Sequence, residues 1–141
     1  MLIIRQQKSY MLPDNFNFRV YALCFNDNNK LLISEETYNG RHIIKFPGGG
    51  LEYGEGTHDC LKREFREEFN IEINIIKHFY TTDFYQRSAF NKKDQIISIY
   101  YIVKINSDII KSPDSIKINW LSLNNLKSDH FTFPIDQKVA G

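Results

Sequence analysis

The sequence predicts an α+β fold in which a mixed β-sheet is flanked by helices. Three observations favour this class. Short runs of β-branched and aromatic residues recur along the chain and are separated by turn signals. One stretch near the middle has the apolar spacing of an amphipathic helix. A further helix start stands near the C-terminus, and a few helices among many strands are typical of a sheet with helices packed on it.

The N-terminal part predicts a β-hairpin followed by a third strand. Residues 16–25 alternate apolar with polar side chains, and the apolar run resumes over residues 30–34. An Asn/Asp cluster at residues 26–29 separates the two runs, as is typical of a hairpin turn. A third strand is predicted over residues 42–46, because Pro47 and the three glycines after it break the run.

A helix is predicted to begin at residue 57. Thr57 suits the N-cap position, and Asp59 places a negative charge in the first turn, where the helix dipole favours it. Leu61, Phe65 and Phe69 recur at i, i+4 and i+8, so they form a buried stripe that packs on the sheet. The elements predicted after this helix are a strand over 71–84, a polar loop over 84–94, strands over 95–105 and 116–121, a helix starting within 123–127, and a last helix near Pro134.

Length and composition limit the classes of protein. A chain of 141 residues with 42% hydrophobic and 14% aromatic residues is expected to fold as one domain, residues 1–141. A net charge of +1 gives no basis for binding a nucleic acid polymer. The apolar runs are too short to cross a membrane, and the first residues lack the apolar stretch of a signal peptide. We therefore expect a cytoplasmic protein that is a monomer or a homodimer, and the role of residues 1–14 stays open.

Three glutamates of the predicted helix share one face. Glu64, Glu67 and Glu68 are spaced at i, i+3 and i+4, and at about 100° per residue they fall within an arc of roughly 100°. Like charges at this spacing repel one another. A hard divalent cation turns that repulsion into coordination, and Mg²⁺ prefers oxygen ligands of this kind. The glycines at residues 48–50 let the backbone approach an ion or a phosphate closely.

The stretch resembles the Nudix box, G-x5-E-x7-R-E-U-x-E-E-x-G-U, where U is a bulky apolar residue. The matching positions, in order and without a gap, are Gly49, Glu55, Arg63, Glu64, Phe65, Glu67, Glu68 and Ile71. Asn70 stands where the pattern has its second glycine, and Asn is the next residue most tolerant of a left-handed helix end. The resemblance implies an α/β/α sandwich with a mixed β-sheet and the hydrolysis of a phosphorus-containing anhydride.

The resemblance also implies roles for single residues. The implied metal ligands are the Gly49 carbonyl and the carboxylates of Glu64, Glu67 and Glu68, with Mg²⁺ as the cofactor or Mn²⁺ in its place. The implied catalytic group is Glu64, Glu67, Arg63 and Glu55, in which Arg63 and Glu55 form an ion pair that ties the loop to the helix.

The general base is predicted to be a glutamate of the box, Glu64 or Glu67. Glu72 is the last glutamate of the chain, so a base further along would have to be an aspartate. Asp83 and Asp94 are the candidates for that alternative.

A pocket for the base or leaving moiety is predicted between the loop of residues 84–94 and the segment of residues 133–137. These segments combine aromatic with amide and carboxylate side chains, the mixture that a base-binding pocket needs. The predicted substrate-binding residues are Phe84, Tyr85, Asp136 and Gln137. The alternative that both segments only cap the sheet stays open at this point.

The sequence thus predicts a metal-dependent pyrophosphohydrolase acting on a small nucleoside diphosphate derivative. Nucleoside triphosphates, oxidised ones included, are the first substrate class, and ADP-ribose and nucleotide sugars are the second. Two further readings stay open, a non-catalytic ligand-sensing domain and an isomerase of prenyl diphosphates. The expected partner is a small-molecule nucleotide, with no membrane.

Overall fold

The computed structural model describes residues 12–106 and 111–141. The role of residues 1–14 was left open above, and of these, residues 1–11 lie outside the described ranges. Within these ranges seven strands form one mixed sheet. The strands are β1 Asn15–Phe25, β2 Leu31–Tyr38, β3 Arg41–Lys45, β4 Gly48–Gly50, β5 Asn74–Thr81, β6 Asp94–Lys104 and β7 Ile116–Leu121; the helices are α1 Thr57–Phe69 and α2 Pro134–Ala140. None of the described helices has the length and apolar character needed to cross a membrane.

The sheet is mixed because one strand pair is parallel and the others are antiparallel. The strand order is β3-β2-β1-β6-β5, with β4 paired to β1 and β7 paired to β2. The parallel pair is β1 with β6, in register from Asn15 opposite Asp94 to Phe25 opposite Lys104. Strand β1 therefore lies at the centre of the sheet and also carries the glycine strand β4 at Arg19 to Tyr21.

The two helices lie on opposite faces of the sheet. Val20 and Ala22 of β1 pack in one core with the α1 residues Cys60, Leu61, Phe65 and Phe69. Tyr21 and Leu23 point to the other face and pack in a second core with Ile135 and Val139 of α2. Because neighbouring residues of a strand face opposite sides, the sheet is covered on both faces. The predicted α/β/α sandwich with a mixed sheet is confirmed.

The predicted helix of the box is present and begins at Thr57, as predicted, but its N-cap differs from the prediction. Gly56, not Thr57, is the N-cap. The Thr57 hydroxyl instead lies 2.6 Å from the Tyr101 hydroxyl on β6, so its oxygen is engaged with the sheet. The first turn is held by the Asp59 carboxylate, which accepts a hydrogen bond from the Gly56 N–H at 3.1 Å.

Three other elements differ from the sequence prediction. The glycines after Pro47 form a short strand on β1, where they were expected only to break one. The strand predicted over 71–84 is reduced to Asn74–Thr81 and is interrupted by irregularities in its pairing with β6. The helix predicted within 123–127 is a single 3₁₀ turn, Leu123–Asn125, which ends because Leu126 is extended. Asn is a weak helix former, which explains why the turn does not continue.

Asn70 ends α1 in the left-handed conformation, as predicted, with φ 53° and ψ 44°. Asn70→Gly is therefore expected to be neutral or mildly stabilising. Asn70→Val should destabilise by about 1–2 kcal/mol, because a β-branched side chain resists φ > 0. Urea denaturation of the two variants beside the unchanged protein measures the difference. Equal stability of the Val and Gly variants would contradict this account.

Candidate functional site

Arg63 is the centre of a polar cluster that joins the glycine loop to α1. Its Nε and Nη2 donate to the two carboxylate oxygens of Glu55, at 3.0 and 2.7 Å, so the predicted ion pair forms in a two-pronged arrangement. Nη2 also donates to the Gly50 carbonyl at 3.0 Å. Nη1 donates to Glu64 at 3.0 Å and to Glu67 at 3.3 Å. One guanidinium therefore fixes both the loop and two of the three glutamates.

The charges within this cluster stabilise one another. The hydrogen bonds from Arg63 lower the pKa of Glu55 to about 2, and a backbone hydrogen bond from Glu52 is the next cause. The bonds to Glu55 in turn raise the pKa of Arg63. Both groups are charged at neutral pH, so the loop and the helix remain joined in the pH range in which a phosphohydrolase would act.

Gly49 leaves the space that the Glu64 carboxylate occupies. A Cβ atom added at Gly49 would lie 2.4 Å from the carboxylate carbon and from Oε1 of Glu64. Glu64 is therefore packed against the backbone of β4, and its side chain is only 14% exposed. The glycine of the box thus determines where this carboxylate lies.

Glu68 and Glu64 are half-buried carboxylates whose negative charge is unfavourable. Burial is the main cause that raises the pKa of Glu68 to about 7; Lys45 opposes the shift, and the charge of Glu64 adds to it. Burial also raises the pKa of Glu64, against the hydrogen bond from Arg63. Half-buried carboxylate oxygens are donors that suit a hard cation such as Mg²⁺, and a cation there would offset the cost of burying their charge.

The three glutamates do not converge on one point as they stand. Within residues 12–106 and 111–141, no three acidic, histidine or cysteine side chains are grouped closely enough to hold an ion. Glu64 and Glu67 are both turned towards Arg63. The Glu67 side chain is 59% exposed, and its hydrogen bond from Arg63, at 3.3 Å, is longer than those from Arg63 to Glu55 and Glu64. The carboxylate and carbonyl oxygens suit a divalent cation, and the residues could hold one if Glu67 turned away from Arg63.

A cavity of about 610 Å³ lies on the α2 side of the sheet. It is bounded by the loop after β5 and by the segment that begins at Phe133, the two segments predicted to form the pocket. Of the four side chains predicted to bind substrate, only Asp136 lines this cavity. The polar lining includes Asn17, Arg19, Lys45, Gln86, Ser88 and Asp94, and the aromatic lining includes Tyr38, Phe90 and Phe133.

The other three predicted substrate residues point elsewhere. Phe84 packs against the Lys138 ammonium, which lies 5.0 Å from the centre of its ring. The Tyr85 hydroxyl accepts a hydrogen bond from Arg87 Nε at 3.2 Å. The Gln137 amide donates to the Phe131 carbonyl at 2.9 Å, so it stabilises the approach to α2. As the structure stands, none of the three lines the cavity.

The sequence interpretation missed the two basic residues of the cavity wall, Arg19 and Lys45. Both lie within predicted strands among apolar residues, so the strand pattern gave no reason to assign them to a site. The available signal was the polar face of β1, where Asn17, Arg19 and Tyr21 alternate with the core residues. A charged residue that faces the same side as a buried tyrosine in a central strand indicates a polar cavity rather than solvent.

Asp136 is the buried carboxyl of the cavity, only 2% exposed, and accepts a hydrogen bond from the Tyr100 hydroxyl. Burial raises its pKa to about 7, although the Tyr100 bond opposes the shift.

Between the ordinary pKa of an Asp, 3.8, and the raised pKa of Asp136, the folded state keeps a proton that the unfolded state loses. The free energy of unfolding should therefore fall as pH rises through this range. Asp136→Asn should be no more stable than the unchanged protein below about pH 4 and should gain on it between about pH 4 and 7. Urea denaturation across that range measures the difference, and parallel pH profiles would refute this assignment.

Arg63→Ala is expected to lower kcat/KM by about 10- to 100-fold, the usual loss when a residue that orients metal ligands is removed. The variant frees the glycine loop and removes the cation that four carboxylates share, those of Glu52, Glu55, Glu64 and Glu67. Arg66→Ala is the matched control, because Arg66 lies on the same helix and its one ion pair within the described part of the chain is with the exposed Glu72, at 2.9 Å. Both variants are assayed on the best available substrate after circular dichroism confirms folding. Equal activity of the two would contradict the role of Arg63.

Known proteins resemble this chain in sequence and in fold. It is 26% identical over 130 residues to the nucleoside triphosphatase NudI of Enterobacter sp. (strain 638), covering 87% of each chain. The MutT protein of Methanosarcina mazei Go1 superposes with a TM-score of 0.74 at 20% identity, over 92% of this chain and 93% of that one. A C. elegans Ap4A hydrolase gives a TM-score of 0.68 at 16% identity, over 88% and 92%. The NUDIX domain family model matches residues 16–139, and this chain therefore belongs to the Nudix family, the hydrolases of phosphorus-containing anhydrides.

Proposed function

We propose that this enzyme hydrolyses a phosphoanhydride bond of a nucleoside triphosphate, oxidised forms included, with a divalent cation. One observation carries the proposal: the carboxylate helix and the cavity meet at Arg19, which lines the cavity and attracts Glu64. A substrate could thus place its nucleoside in the cavity and its phosphates beside the glutamates. The relative named as a nucleoside triphosphatase supports this substrate class.

Mg²⁺, or Mn²⁺ in its place, is the proposed cofactor. Glu64, Glu67 and Glu68 would hold it together with the carbonyl of Gly49. When bound, the cation supplies charge neutralisation on phosphoryl oxygens and activation of water. The protein's own contribution is to keep the carboxylates half-buried beside a glycine backbone, where little water competes for them.

Glu64 is the proposed general base. Its Oε1 accepts the Arg63 hydrogen bond, which leaves Oε2 to take the proton of an attacking water. Burial raises its pKa, which strengthens it as a base. The alternative Asp83 suits the role less well, because its carboxylate is held by the Lys138 ammonium at 2.7 Å and its pKa is lowered. The other alternative base, Asp94, is the first residue of β6 and lines the cavity.

The cavity is the proposed site of the nucleoside. Tyr38 and Phe90 meet edge to face with ring centres 4.8 Å apart, and the ring centre of Phe133 lies 6.0 Å from that of Phe90. These rings offer faces on which a planar base can stack. Asp136 offers a polar group to the edge of the base, as expected for a pocket with a few placed polar groups.

A substrate panel tests the proposal. Nucleoside triphosphates, their oxidised forms, ADP-ribose, nucleotide sugars and a prenyl diphosphate are incubated with the enzyme and Mg²⁺. Phosphate release from the triphosphates is measured with and without added pyrophosphatase. Turnover of ADP-ribose and the nucleotide sugars is measured with added alkaline phosphatase, because their cleavage yields two phosphomonoesters. Glu64→Gln should abolish turnover, whereas Glu72→Gln should not, because Glu72 is exposed and outside the cluster.

The pattern of release separates the competing functions. The highest kcat/KM on a triphosphate supports the proposal, and release that depends on pyrophosphatase identifies pyrophosphate as the product. The highest kcat/KM on ADP-ribose or a nucleotide sugar would contradict the substrate class. No turnover of any nucleotide would contradict the proposed substrate altogether.

A further inference from the structure

Two basic side chains lie at the end of the cavity nearest to the carboxylate helix. Arg19 stands opposite Gly50 in the β1–β4 pairing, and its Nη1 lies 3.5 Å from the point where a Cβ of Gly50 would be. Its charge interacts with that of Glu64. Lys45 ends β3 with a side chain only 13% exposed, and its charge interacts with that of Glu68. Each cation therefore lines the cavity and lies close enough to a glutamate of the helix for their charges to interact.

The two cations are held in place by the same tyrosine. Arg19 Nε donates to the Tyr21 hydroxyl at 2.6 Å, and its guanidinium carbon lies 5.7 Å from the Tyr21 ring centre. Lys45 Nζ lies 6.0 Å from that centre and forms an ion pair with Glu36 at 3.1 Å. Both side chains are thus oriented before any ligand arrives, which reduces the ordering that binding requires.

Toward the described residues, Arg19 keeps most of its hydrogen-bonding capacity unused. A guanidinium has five N–H donors, of which the Tyr21 bond takes one. Among the described residues no carboxylate lies within ion-pair distance of Arg19, whereas Lys45 is already matched by Glu36. A half-buried guanidinium without a carboxylate partner favours an anionic ligand, and its planar fork matches two oxygens of one phosphoryl group.

We propose that Arg19 binds a phosphoryl group of the substrate directly, between the nucleoside cavity and the carboxylate helix, and that Lys45 adds positive charge beside it. Arg19 is then a specificity-determining residue: it selects ligands with a phosphate chain over uncharged nucleosides. This inference rests on the proposed function for the identity of the substrate, but the recognition of phosphoryl oxygens can be measured separately.

Binding of inorganic pyrophosphate in EDTA tests the inference without a metal and without a nucleoside. Isothermal titration calorimetry compares the unchanged protein with Arg19→Gln and Arg19→Lys. Arg19→Gln should weaken binding by about 10- to 100-fold, the loss expected when charged hydrogen bonds are removed. Arg19→Lys keeps the charge but loses the fork, so an intermediate loss is expected. Arg66→Gln removes an exposed arginine of α1 and should leave binding unchanged.

Each outcome decides the inference. Unchanged pyrophosphate affinity in a folded Arg19→Gln protein overturns it, and so does the absence of binding to the unchanged protein. If Arg19→Gln does not fold, the Arg19→Lys variant decides: full affinity there overturns the proposed fork contact. The substrate panel fails or succeeds independently of Arg19. Turnover of triphosphates with wild-type KM in Arg19→Gln would overturn this inference alone and leave the proposed function standing.

Discussion

Glu68→Gln is expected to lower kcat/KM by at least about 100-fold. Removing a residue that only hydrogen-bonds to a metal ligand costs up to about 100-fold, and Glu68 is itself a proposed ligand. The protein should remain folded. Glu68 forms no hydrogen bond or ion pair among the described residues, and burial together with the charge of Glu64 opposes its ionisation. Removing that charge relieves repulsion in the metal-free protein. The same change removes an oxygen donor from the proposed cation site.

Two measurements separate the effects of Glu68→Gln. In EDTA, the thermal midpoint of the variant should equal or exceed that of the unchanged protein. On titration with Mn²⁺, the unchanged protein should gain stability by mass action, and the variant should gain less. Glu72→Gln serves as the control, because it removes an exposed glutamate whose one ion pair among residues 12–106 and 111–141 is with Arg66. Wild-type Mn²⁺ affinity in a folded Glu68→Gln protein would remove Glu68 from the site.

Gly49→Ala is expected to cost about 100-fold in activity with little loss of stability. The added Cβ would meet the Glu64 carboxylate at 2.4 Å, and this carboxylate is the free end of a flexible side chain. The side chain can move aside, so the fold survives. The carboxylate is then displaced by an ångström or more, and misplacement on that scale can lower the rate of an enzyme by about 10²-fold.

Gly48→Ala is the matched comparison for Gly49→Ala. A Cβ at Gly48 would lie 2.1 Å from the Val20 carbonyl oxygen, and the φ of Gly48 is +151°. Backbone cannot move aside as a side chain can, so this variant should lose stability as well as activity. Thermal denaturation and kcat/KM of both variants test the contrast. A Gly49→Ala protein as unstable as Gly48→Ala, or as active as the unchanged enzyme, would contradict the role assigned to Gly49.

The parts of the site that are local in sequence could be predicted, because a helix fixes the neighbours of each residue. The resemblance to the Nudix box implied the ion pair between Arg63 and Glu55 and the left-handed Asn70, and both lie within one loop and one helix. The position of the cavity was also predictable in outline, since turn and loop signals marked the two segments around it.

The side chains that line the cavity could not be predicted in the same way. Arg19 and Lys45 come from different strands, and only the pairing of β1 with β4 and of β2 with β3 brings them to one place. Phe84 and Gln137 were predicted from composition alone. Their actual neighbours, Lys138 and the Phe131 carbonyl, depend on the packing of α2, which no local pattern encodes.

The parallel pairing of β1 with β6 has a consequence for the kinetics of folding. Each of its residue pairs, such as Asn15 with Asp94, joins positions more than half the chain apart. Closing so long a loop is slow, and domains dominated by distant pairings fold over milliseconds to seconds, whereas a helix forms in roughly a microsecond. Helix α1 lies between the two strands in sequence, so its glutamates can come together early. Arg19 and the glycine strand are positioned only when β1 is incorporated into the sheet, and a refolding experiment should therefore recover helical circular dichroism well before enzymatic activity.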